Sequence, residues 1–90
     1  FERHSAFLKS LRSLRQPSRI EAAQDAVETL IHSMEQHGSL PTGLGLKRLK
    51  EHIWEIRSNL RDRILFSWIG DRVRFLLVGN HDEIRHFLKR

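Results

Sequence analysis

Along the first fourteen residues apolar positions recur at helical spacing. Phe7, Leu11 and Leu14 fall on one face with Leu8 beside them, and Lys9, Arg12 and Ser13 lie outside it. The pattern predicts a short amphipathic helix over residues 2–14, which Pro17 ends because its ring admits no further helical hydrogen bond. Ser18-Arg19-Ile20-Glu21 has the spacing of a capping box, so a second helix is predicted to open there and run to about His37. Its stripe of Ile20, Ala23, Val27, Leu30, Ile31 and Met34 is the cleanest in the chain, and Gly38 supplies a stop. The stretch 39–45, with Pro41, Gly43 and Gly45, is predicted as loop.

Beyond that loop the period drops to two. Residues 53–57 and 63–69 alternate and are rich in β-branched and aromatic side chains, with Asn59 available for a turn between them. Gly70-Asp71 turns the chain into a third strand over 73–78, and Gly79-Asn80 breaks that strand before a short helix from about Asp82 to Leu88. The order helix, helix, strand, strand, strand, helix describes an α+β fold, in which an N-terminal helical hairpin packs on a small antiparallel sheet with a short C-terminal helix. Alternation also sorts the side chains. Trp54, Ile56, Ile64, Phe66 and Trp68 can face the hairpin, which leaves Glu55, Arg57 and Arg63 together on the opposite face as a candidate site.

Composition narrows the class. Ninety residues suffice for one modest core, so residues 1–90 are read as a single domain. With no cysteine, neither a disulfide framework nor a thiolate metal site is possible, and a cytoplasmic address is the default expectation. The longest apolar runs, Ile64-Leu65-Phe66 and Phe75-Leu76-Leu77-Val78, are too short to cross a bilayer, so no membrane association is expected. Phe1 stands where a Met would open a complete reading frame, which points to a trimmed or processed N-terminus. The charge of +5 is unevenly placed. Residues 1–43 balance, while from Leu44 onward eleven basic residues stand against six acidic ones. A basic half favours phosphate-bearing or acidic partners through counterion release and steering; the alternative is solubility alone.

The element order, together with Gly45-Leu46-Lys47-Arg48-Leu49-Lys50, Trp54-Glu55-Ile56-Arg57, Arg63-Ile64-Leu65-Phe66 and Leu77-Val78-Gly79, resembles the RelE/ParE superfamily of bacterial toxins over nearly the whole chain. The family fold begins with one further strand, which this resemblance places ahead of Phe1. RelE-like members are metal-independent endoribonucleases that cut messenger RNA on the ribosome and stop translation, and ParE-like members inhibit DNA gyrase without such chemistry. Both are held in check by a cognate acidic antitoxin, with which a hetero-oligomer could form. The resemblance therefore implies a toxin-like ribonuclease needing no cofactor and no metal. A ParE-like gyrase inhibitor, or a non-toxic RelE-like binding module of a longer protein, is the alternative.

In the ribonuclease branch the arginine opening the second long strand holds the scissile phosphate, and a residue just after the last strand takes part in acid–base chemistry. The matching positions here are Arg63 and His81. Glu55 stands where that branch often has a lysine, and Asp62 where it usually has an aromatic residue. Some relatives pair a glutamate on this strand with a C-terminal histidine, and that version makes Glu55 the base.

Cutting RNA without metal needs a base for the 2'-hydroxyl proton, an acid for the leaving oxygen and cations against the charge growing on phosphorus. Glu55, His81, Arg57 and Arg63 are the types required, although Glu55 between two arginines is equally read as an ion pair on a solvated sheet. Lys47, Arg48 and Lys50 precede the first long strand as a basic cluster. With Arg57, Arg61, Arg63, Arg72 and Arg74 they could form one surface for nucleic-acid phosphates. Asp82 and Glu83 read as first-turn acids of the last helix, and Trp54 and Trp68 as core. His81 and His86, five apart, do not share a helical face for a metal.

Overall fold

Among the described residues Arg15, with φ of 63°, is the non-glycine residue that takes a left-handed backbone, and there the two helices part. The computed structural model describes residues 1–41 and 43–89; Thr42, inside the predicted loop, and Arg90 lie outside the described residues. Helix α1 spans Ser5–Ser13 and α2 spans Pro17–His37. The Ser18–Glu21 capping box does not form. Pro17 already occupies the first turn, where its missing N–H is no loss, and Gln16 caps the helix without a side-chain hydrogen bond. At the other end Gly38 is left-handed (φ 64°) and its N–H donates to the Met34 carbonyl at 3.0 Å, as a C-terminal glycine should.

Glu2–Arg3, predicted as the first turn of a helix, is instead a strand, β1. These residues carry no apolar stripe to bury, and their backbone groups find partners on an open sheet edge. α1 begins only after His4, whose Nδ1 accepts the Ala6 N–H at 3.0 Å. The remaining elements are β2 (Lys47–Arg48), β3 (Ile53–Arg57), β4 (Arg63–Ile69), β5 (Arg72–Gly79) and α3 (His81–Leu88). They form one sheet of order β1-β5-β4-β3-β2, parallel only between β1 and β5. β2 falls inside the basic cluster, to which the sequence pattern assigns no regular element; two residues are too few to show a period.

The register runs Trp54↔Phe66 and Ile56↔Ile64 across β3 and β4, and Ile64↔Val78 across β4 and β5. These residues therefore share one face, and Ile56, Ile64, Phe66 and Val78 are buried there against Phe7, Ala23, Val27 and Leu30 of the hairpin. Trp54 and Trp68 pack on the margin of this core, as the alternation predicted. The run Phe75-Leu76-Leu77-Val78 does not alternate because the ladder slips. Leu65 pairs with Leu77 but Phe66 with Phe75, so the extra residue Leu76 is a bulge that reverses which side chains of β5 face inward. Phe75 thereby joins the core, its ring 5.7 Å from Phe7 and 6.2 Å from Phe66.

Candidate functional site

On the sheet face away from the hairpin, the same register assembles two rows. One is Lys47, Glu55, Leu65 and Leu77; the next is Arg57, Arg63 and Gly79. Directly opposed residues of an antiparallel pair lie on the same side. Glu55, Arg57 and Arg63 are thus brought together as their strand positions required, and β2 adds Lys47 beside Glu55.

Glu55 is a buried carboxylate, only 6% exposed, and Arg63 Nε stands 3.3 Å from its Oε2. The approach is an ion pair but not a well-directed hydrogen bond. Arg63 Nε is buried and has no hydrogen-bond partner among the described residues. A buried donor left unsatisfied is costly, and it calls for a partner such as a ligand, an ordered water or an ion. Arg57 is exposed. Its N–H donates to the Leu44 carbonyl at 2.6 Å, and its aliphatic stem runs under Gly45, where an added Cβ would sit 3.1 Å from Arg57 Cγ and Cδ. Gly45 has φ of 62°, so the backbone there needs glycine twice over, for its conformation and for the room it leaves Arg57.

Leu65 and Ile84 are buried yet stand apart from the main core, which marks α3 as a cover on this second face. A Cβ on Gly79 would lie 3.0 Å from Glu83 Oε1, so the helix starts directly over the end of β5. Its start is fixed by a reciprocal cap. Asn80 Oδ1 accepts the Glu83 N–H, and Glu83 Oε1 accepts the Asn80 N–H, both at 2.9 Å. His81 is the exposed first residue of that helix, one residue earlier than predicted and two beyond the Gly79 that pairs with Arg63. Glu83 is therefore an anchor for the segment that carries His81. Asn80→Ala is expected to cost about 1 kcal/mol of unfolding free energy, measured by urea denaturation.

The basic residues proposed for phosphate contact separate. Lys47 is on the site face, but Arg48, one residue on, turns to the other. Its Cζ lies 5.8 Å from the Trp54 ring, and it donates to the carbonyls of Lys50 (3.2 Å) and Glu51 (2.8 Å), holding that loop to the sheet. Lys50 is exposed within the same loop. Arg74 shares the site face at the far end of the sheet, where Nη2 and Nε meet Glu2 Oε2 at 3.0 and 3.2 Å. This guanidinium lowers the Glu2 pKa. Arg61 is exposed on the β3–β4 turn and lines a groove of about 850 Å³ between α1 and α3, whose floor includes Leu77 and Val78.

One cluster was not visible in the sequence. Asp62, with no solvent exposure, binds Arg19 through both carboxylate oxygens, at 2.6 and 2.8 Å, and that hydrogen-bonded guanidinium holds its carboxyl below the usual range. The Asn59-to-Asp62 spacing hints at a turn that bonds its own backbone, but nothing local announces a partner 43 residues away.

With this geometry in view, solved structures give the fold its name. The RelB–RelE antitoxin–toxin complex of Methanococcus jannaschii contains a chain that superposes with a TM-score of 0.70, at 20% identity over 97% of this chain and 98% of that one. The chain has the RelE-like fold. A YoeB–YefM complex from Staphylococcus aureus matches at a TM-score of 0.63 and 13% identity, covering 89% of this chain and 93% of that one. A copper-bound mutant toxin from Helicobacter pylori matches at 0.64 and 16%, covering 92% and 94%. No family model and no curated protein matches the sequence. The RelE-like fold is thus shared at identities where the side chains must carry any functional argument. No helix among the described residues is long and apolar enough to cross a membrane.

Proposed function

We propose that this chain is the toxin of a toxin–antitoxin pair, an endoribonuclease that cuts messenger RNA on the ribosome and so stops translation. The observation that carries the reading is the Arg63 guanidinium, buried against the Glu55 carboxylate with Nε unsatisfied, on the face of a RelE-like sheet that also presents Arg57 and Lys47. An RNA phosphate oxygen can accept from that free donor, and phosphate, like a carboxylate, can take two parallel bonds from a guanidinium.

In this reading phosphate binding draws Arg63 from Glu55 and frees the carboxylate. Glu55 takes the proton of the 2'-hydroxyl as that oxygen attacks phosphorus, and His81, protonated, gives a proton to the departing 5'-oxygen. The products are a cyclic phosphate and a free 5'-hydroxyl. Arg57 and Arg63 oppose the negative charge that builds on the phosphoryl oxygens between these events. Lys47 and the exposed Lys50 and Arg61 suit backbone phosphates, which position the strand without reading its sequence. A cytoplasmic site of action follows from that substrate. The partner that restrains such a toxin is an acidic antitoxin, complementary to the charge excess of the C-terminal half.

The test is a reconstituted cell-free translation reaction with purified protein, followed by mapping of messenger RNA 5' ends. Discrete new ends that appear only when ribosomes are translating are the expected result. Intact message together with undiminished translation sinks the reading.

A further inference from the structure

Every polar atom of Asp62 is bonded. Oδ1 accepts from Arg19 Nη2 at 2.6 Å, and Oδ2 accepts from Arg19 Nε at 2.8 Å and Asn59 Nδ2 at 3.0 Å. Its N–H donates to Asn59 Oδ1 at 2.6 Å, and its carbonyl accepts from the Ser58 N–H at 3.1 Å and Ser58 Oγ at 3.3 Å. Arg19 comes from the first turn of α2, on the hairpin side of the sheet. Asp62 comes from the turn between β3 and β4 and is the residue immediately before Arg63.

A buried ion pair is a poor source of net stability, because desolvation offsets most of its Coulomb attraction. What a saturated pair does supply is geometry: two carboxylate oxygens and a planar guanidinium fork admit one arrangement. The contrast one residue later is sharp. Asp62 is fully satisfied, whereas Arg63, whose side chain leaves for the opposite face, has its Nε unsatisfied and only 3.3 Å from Glu55. A guanidinium so loosely held by its own partner depends on its backbone for aim.

We propose that the Arg19–Asp62 pair is a positioning device for Arg63, clamping the β3–β4 turn to helix α2 so that the guanidinium meets phosphate at a fixed point beside Glu55. The cleavage arm of this proposal rests on the ribonuclease reading; the ordering of Arg63 does not. Neither Arg19 nor Asp62 touches the reacting atoms, so both act through Arg63 and are positioning residues. Misplacing a catalytic group by about 1 Å costs on the order of a hundredfold in rate, so the loss of the clamp falls on turnover.

Two variants keep the test open even if one folds poorly. Asp62→Asn removes the charge and half of the acceptor pair, and Arg19→Gln/Asp62→Asn replaces the ion pair by two neutral amides that can still hydrogen-bond. Each is assayed below its measured melting temperature, with rates expressed per folded molecule. One readout is nitrogen-15 relaxation of the Arg63 Nε–H. The other is single-turnover cleavage over a range of RNA and ribosome concentrations.

The expected result is a more mobile Arg63 Nε in both variants, with maximal cleavage slower by about 10–100-fold and the half-saturating concentration changed less than about threefold. Folded variants with wild-type Arg63 order overturn the proposal, whatever their cleavage rate. Greater mobility with an unchanged maximal rate, or a loss confined to half-saturation, overturns it as well. If the wild-type protein cuts no RNA, the ribonuclease reading falls by itself, and Arg63 relaxation alone upholds or overturns the clamp.

Discussion

Arg63→Ala is expected to slow RNA cleavage by about 10²–10³-fold, the range seen when one preorganised charge donor is taken from a developing anion. Arg63 is already set in the site before substrate arrives. Its guanidinium is largely buried, with a side-chain exposure of 17%, and its nearest anion is Glu55, itself nearly excluded from water. In such surroundings a charge acts over a low effective dielectric and needs no reorganisation when the phosphorane forms. The alanine variant also strands Glu55 without its cation, so folding must be followed beside activity. Arg63→Lys separates the two effects. It keeps a positive charge near Glu55 but offers a point charge in place of a planar fork, and is expected to fold normally while recovering only part of the lost rate. Rates come from primer-extension mapping of cut messages under single-turnover conditions. A folded alanine variant that cleaves at the wild-type rate removes Arg63 from the chemistry.

The Glu55–Arg57–Arg63 face was legible because strand alternation alone assigns sides, and one residue on each of two strands sufficed to fix it. The same rule placed Trp54, Ile56, Ile64, Phe66 and Trp68 on the core side. It failed where strands are too short to have a period. Glu2–Arg3 was absorbed into the helix that follows, and Lys47–Arg48 showed no period, so Lys47 and Arg48 were grouped as one basic cluster although the strand sends them to opposite faces. β5 obscured its own pattern through the Leu76 bulge, which yields a continuous apolar run where alternation is the signal. The Ser18–Glu21 spacing misled for a local reason, since Pro17 beside it is a helix starter that pre-empts the cap. Asp62 was the largest gap. In sequence it is one more acid in a basic segment, and only the fold brings Arg19 to it.

That pair sets the second large effect. Arg19→Ala is expected to lower the unfolding free energy near pH 7 by about 3–5 kcal/mol, because it leaves a carboxylate with no solvent exposure facing an emptied site. That is a large part of the roughly 5–13 kcal/mol a domain of this size holds, so the variant is expected to melt about 12–40 °C below the wild type. Acid should change the comparison. In the wild type the hydrogen-bonded Arg19 holds the Asp62 carboxyl below its usual range, with Asn59 adding to the effect and burial opposing it. A folded-state value below the unfolded one means that the stabilisation is complete above the unfolded pKa of about 3.9 and drains away as pH falls through the folded value. In Arg19→Ala burial works unopposed by the cation, so protonation relieves the folded state and the variant loses less on acidification. The gap between the two proteins should therefore narrow as pH falls through the range in which the variant's Asp62 is protonated and the wild type's is not. Urea titrations at a series of pH values measure it, and a gap that stays constant into strong acid would assign the loss to Arg19 packing instead. Arg19→Met/Asp62→Leu is the counterpart, with both charges gone and the volume largely kept. It is expected to recover most of the lost stability, because the penalty comes from a half-broken pair and not from the absence of one.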